Sequence, residues 1–166
     1  MKNFPIVDTK TGKEYWISRS VAVLTFVIAR DEEGYLYILA TQRGKGTPDP
    51  EYVGAYCLPC GYVDYDETVA EAAVRELKEE TGIIIPANHL TFKSYNDNPL
   101  SDKRQNITFR FEVWLRERIQ DLEKKLSSKY SEKDEVSDIR FIKLKDIYEY
   151  NWAFNHKELI RKEFLS

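Results

Sequence analysis

Val21-Ala-Val-Leu-Thr-Phe-Val-Ile-Ala29 is apolar throughout except for Thr25. A stretch so continuous has no polar face to turn toward water, and its β-branched residues favour an extended backbone. It is therefore expected as a strand buried between two layers. It is about half of the ~20 residues a membrane-spanning helix requires, which excludes it as a span. Asp31-Glu-Glu-Gly34 supplies a turn into a second strand, Tyr35 to Thr41, and the breaker-rich segment Arg43 to Tyr52, with Gly44, Gly46, Pro48 and Pro50, is expected as a loop.

Around this centre the pattern alternates between the two regular periods. Gln105 to Arg116 places Ile107, Phe109, Phe111, Val113 and Leu115 on one face of a strand. Val69, Ala73 and Leu77, widened by Ala72 and Val74, give a helix from about Glu67 to Thr81, closed by Gly82. Tyr56 to Pro59, Ile83 to Ile85, Leu90 to Ser94 and Ser137 to Leu144 are shorter strand candidates, and a last helix spans about Asn155 to Phe164. Strands dispersed among helices point to an α/β fold, a mixed sheet covered by helices. A length of 166 residues suits one domain, 1–166, in which 1–20 forms an N-terminal hairpin and 117–134 a charged helical insertion.

Charge narrows the range of partners. Twenty-five Lys and Arg against 28 Asp and Glu leave a net charge of -3, without the basic excess that drives stable nucleic-acid binding. No secretory signal precedes the first strand, so a cytoplasmic location is expected, with no membrane association. Cys57 and Cys60 spell Cys-Leu-Pro-Cys, yet no second cysteine pair completes a zinc site, and an acidic loop after Gly61 offers no thiolate-stabilising charge. Packing thiols are the expectation.

Glu76, Glu79 and Glu80 fall within an arc of about 100° on the helix and face one way. Like charges so placed repel, and Arg75, within reach of Glu79, relieves only part of the repulsion. A hard divalent cation with oxygen ligands would offset the remainder. The segment from Gly61 through Glu67 to Arg75-Glu-Leu-Lys-Glu-Glu-Thr-Gly-Ile83 resembles the Nudix box at every defined position. By ordinary residue frequencies, a chance match arises on the order of once per several million chains of this size.

The resemblance implies a Nudix-type α/β/α sandwich with a mixed β-sheet, and metal-dependent hydrolysis of a pyrophosphate bond in a nucleoside diphosphate linked to another moiety. By the same resemblance, Glu76, Glu79 and Glu80 are metal ligands for Mg²⁺ or Mn²⁺, joined by the main-chain carbonyl of Cys60, which stands where the family usually has glycine. Arg75 and Glu67 would orient the loop and helix. Glu76, Glu80 or, from a later loop, Glu135 would act as the general base. Arg43 and Arg104 are candidates for substrate binding. Asp97, Pro99, Asp102 and Arg104, together with Ala153-Phe-Asn-His156, are loosely similar to segments of ADP-ribose and NDP-sugar pyrophosphatases. Sanitation of a nucleoside triphosphate, a non-catalytic nucleotide-binding sensor and a homodimer stay open.

Overall fold

The computed structural model describes residues 4–101, 104–132 and 134–166. The apolar run is β3, Val21–Arg30, and it lies at the centre of a seven-stranded mixed sheet. β3 pairs antiparallel with β4 (Leu36–Arg43) and β6 (Cys60–Tyr62), and parallel with β8 (Ile107–Leu115). β7 (Thr91–Asn96) borders β8, while β5 (Tyr56–Cys57) and β9 (Val136–Lys143) border β4. β1 (Phe4–Val7) and β2 (Glu14–Ile17) form a separate two-stranded hairpin.

Both faces of β3 are covered, which explains its unbroken apolar character. Leu24, Phe26 and Ile28 pack with Leu58, Trp152 and Ile160 beneath α3, His156–Phe164. Val23 packs against Ala72, Ala73 and Phe111, and Val27 against Leu77 and Ile83, beneath α1, Val69–Thr81. The two alanines let α1 approach the sheet closely. Among the described residues no helix is long and apolar enough to cross a membrane.

Three expectations need correction. Ile83 to Ile85 forms no strand: Gly82 ends α1 in the left-handed region at φ 77°, and the chain then crosses the core at Ile83 without meeting a partner strand. The segment 117–134 is helical only at α2, Ile119–Glu123, where buried Ile119 and Leu122 tie one turn to the core. The long helix at Glu67 starts instead at Val69, because Thr68 caps it: its side chain accepts from the Glu71 N–H while Glu71 accepts from the Thr68 N–H.

Candidate active site

Glu67, left outside α1 by the Thr68 cap, faces back across the loop. Its carboxylate accepts from the Asp64 N–H at 2.7 Å and takes two bonds from Arg75, at 3.0 and 2.7 Å. The Arg75 guanidinium also donates to the Tyr62 carbonyl (2.9 Å), to Glu76 Oε1 (2.8 Å) and to Glu79 Oε2 (3.1 Å). One cation thus ties the β6 loop to two of the helix carboxylates, and its pairing with Glu67 and Glu76 keeps it charged.

Gly61 on β6 lies close against this helix face. Any Cβ there would overlap the Glu76 carboxylate. Next to it, the Cys60 N–H donates to Glu80 Oε2 at 3.2 Å. Glu80 is only 5% exposed, unlike Glu79. The rotation between positions 76, 79 and 80 explains the difference. Glu79 lies at the outer edge of the arc, with its side chain 40% exposed, whereas Glu80 turns toward β6.

Glu135 arrives from the loop just before β9, held beside the end of β4. Gly44 N–H donates to its carbonyl at 2.6 Å, and Gly46 N–H to that of Asp134 at 2.8 Å. A side chain on Gly44 would overlap the Asp134 carbonyl, so glycine permits this approach. The result is a crowded set of acids. Burial pushes the Glu76 carboxyl up, opposed by Arg75 and reinforced by Glu79 and Glu135. Burial pushes Glu80 well above its ordinary range, with the negative charges of Cys57, Glu76 and Glu135 adding to it. Burial raises Glu135 as well, and Glu132 adds to the rise while Arg43 opposes it.

As the side chains stand, no three His, Cys, Asp or Glu groups among the described residues are disposed around one ion. Arg75 supplies the counter-charge to Glu76 and Glu79 in this arrangement. The donor chemistry nevertheless fits a hard divalent cation. The carboxylates repel one another, the glycine gap seats Glu76 against β6, and Cys60 keeps ordinary negative φ, so its carbonyl needs no glycine.

The two candidate arginines are brought together by a residue the sequence did not single out. Asp49 accepts from Arg43 through Oδ2 at 3.1 Å and pairs with Arg104 through Oδ1. Arg43 also donates to Thr47 and lies under the Phe154 ring, 5.2 Å from its centroid. Arg104 continues to the Tyr62 hydroxyl at 3.0 Å. A register shift between Gln42 and Arg43, where β4 meets β9, marks the point at which the arginine leaves the regular ladder. Asp102 lies outside the described residues.

The same side of the sheet holds the two thiols. Cys57 and Cys60 are free. A hydrogen bond from Cys60, opposed by burial and helped by Thr41 and Arg43, draws the Cys57 thiol down to about 7. The sequence had placed no cation there, because Arg43 comes from a different strand. Neighbouring His156 is buried, accepts the Leu58 N–H at 3.0 Å through Nδ1, and is held neutral down to about 3 by burial and by the charges of Arg43 and Arg110.

Residues 18–162 match the family model of the NUDIX domain. Over 79 residues, 48% of the chain, the sequence is 37% identical to an ADP-ribose pyrophosphatase of Methanocaldococcus jannaschii, and the match spans 43% of that relative's length. The fold is similar to the NUDIX domain of Shewanella oneidensis NrtR, solved in complex with ADP ribose, with a TM-score of 0.70 at 22% identity over 96% of this chain and 94% of that one. It is also similar to a mutT/nudix family protein from Listeria innocua, with a TM-score of 0.66 at 25% identity over 90% and 94% of the two chains.

Proposed function

The chain belongs to the Nudix family, and from that premise we propose that it hydrolyses a pyrophosphate bond in a nucleoside diphosphate linked to another moiety, with ADP-ribose the leading substrate. What supports this reading is the mutual repulsion of Glu76, Glu79, Glu80 and Glu135 near the glycine gap at Gly61, a set of acids with too little counter-charge of its own. Similarity to the M. jannaschii enzyme favours ADP-ribose within the substrate class.

In this reading Glu76, Glu79 and Glu80, with the Cys60 carbonyl, hold Mg²⁺ or Mn²⁺. When bound, the ion neutralises phosphate charge and makes water acidic enough to supply a nucleophile near neutral pH. Glu135 takes the proton of the attacking water at its carboxylate: it comes from outside α1 and so approaches the cluster from another direction. Glu76 and Glu80, which the sequence offers for the same task, serve as ligands. Arg75 orients the helix carboxylates through Glu67. Arg43 and Arg104, aligned by Asp49, face the diphosphate.

The test is turnover of a panel containing ADP-ribose, NDP-sugars, dinucleotides and nucleoside triphosphates, with Mg²⁺, with Mn²⁺ and with chelator. The reading expects AMP and ribose 5-phosphate from ADP-ribose, lost on chelation. Binding of ADP-ribose without turnover would overturn it in favour of a sensor, and preferred cleavage of triphosphates in favour of sanitation.

A further inference from the structure

Arg110 lies on β8, and its guanidinium points to the α3 side of the sheet. It shares a row with Leu24 of the core under α3, and its charge bears on His156 and Glu163 of that helix. Among the described residues it makes no hydrogen bond and no ion pair, and its Nε is buried. Directly across the strand pair from it stands Ser94, whose Oγ is also buried and without a partner. A half-buried guanidinium with no carboxylate in hydrogen-bond contact, only the more distant charge of Glu163, stands beside a hydroxyl with no partner; this is costly to the fold and signals that something outside the chain completes the set.

Position and charge say what that is. Cys60, Leu24, Arg110 and Ser94 stand abreast on β6, β3, β8 and β7. Two strand spacings put the Arg110 backbone about 10 Å from Cys60, whose N–H holds Glu80. Of the three arginines on this side, Arg43 and Arg104 already share Asp49. Arg110 alone can take an anion without first breaking an ion pair. Guanidinium with hydroxyl is a donor set suited to phosphate oxygens.

We propose that Arg110 and the Ser94 hydroxyl form a subsite for the substrate phosphate that the carboxylate cluster does not hold. The inference rests on the functional reading above and adds to it the group that receives the second half of the diphosphate.

The experiment uses the full chain and compares Arg110→Met, Arg110→Lys and Ser94→Ala with the parent, in ADP-ribose kinetics and in calorimetric binding of ADP-ribose and inorganic pyrophosphate without divalent ions. Expected are a KM for ADP-ribose at least tenfold higher in Arg110→Met with kcat within threefold, partial recovery in Arg110→Lys, and a several-fold rise in Ser94→Ala. The Tm of Arg110→Met should be equal to or above the parent's, because an unpaired cation has been removed. A KM within twofold of the parent, or a lowered Tm that lysine does not restore, overturns the proposal. If the parent hydrolyses nothing in the panel, the proposed function fails but binding still decides the subsite. A tenfold weaker affinity in Arg110→Met upholds it, and equal affinity, or no binding by the parent, refutes it.

Discussion

The carboxylate of Glu76 fills the space that a side chain on Gly61 would need. This contact joins the loop after β6 to the middle of α1 and permits only a hydrogen at the glycine Cα.

Gly61→Ala should therefore lower kcat by at least about 100-fold, equivalent to about 2.7 kcal/mol of barrier. The methyl group displaces a mobile side-chain end and not backbone, so the far-UV circular dichroism should be unchanged. Turnover of ADP-ribose within a few-fold of the parent would contradict the role given to this contact.

Glu80→Gln should abolish turnover and also stabilise the fold. The folded-state pKa of Glu80 is raised above the ordinary 4.5, so the native state holds this proton more tightly than the unfolded chain. The resulting stability is fully present below about pH 4.5 and is lost as pH rises through the native value, because ionisation of the buried carboxyl is disfavoured. A neutral amide that still accepts from the Cys60 N–H removes that cost. Thermal melts at pH 7 should show a higher Tm than the parent, with the gap closing toward pH 4.

His156 acts in the opposite direction. Its folded-state pKa is depressed from 6.5 to about 3, so the unfolded chain binds the proton first on acidification. The stability it contributes is complete above about pH 6.5 and falls on the way to pH 3, at up to about 1.4 kcal/mol per pH unit. His156→Asn keeps an acceptor for the Leu58 N–H and cannot take up a proton. Urea titrations between pH 4 and 7 should give a shallower loss of stability in the variant, and parallel slopes would show that His156 does not titrate this way.

Asp49→Ala leaves Arg43 buried without its carboxylate and releases Arg104. Removing one partner of a buried pair costs about 3 kcal/mol, or roughly 6–12 °C in Tm for a chain of this size. Inorganic phosphate should restore more stability to this variant than it adds to the parent, since it can occupy the space between the two guanidiniums. An equal phosphate effect in both proteins would argue against an anion site there.

Much of the layer structure was legible along the chain because it is written in short-range periodicity. The unbroken run Val21–Ala29, the alternation through β8 and the four-residue recurrence in α1 each report which face is buried. Where neighbours in space override that signal, the reading missed. Ile83 to Ile85 has strand composition but no strand beside it, and the spaced apolar residues after Arg116 hold a single helical turn because only Ile119 and Leu122 find the core.

For the candidate site the division is similar. Sequence alone determined the acidic arc of α1, since helical geometry places positions 76, 79 and 80 together whatever surrounds them. Its burial and the partners of its arginines were decided only by tertiary structure. Glu80 is buried because β6 passes beside the helix, Glu135 reaches the cluster because Gly44 admits its loop, and Arg43, Asp49 and Arg104 meet from separate segments. Local spacing cannot encode contacts between residues separated by tens of positions, and it is these contacts that set which charges are paired and which, like Arg110 among the described residues, lack a hydrogen-bonded partner.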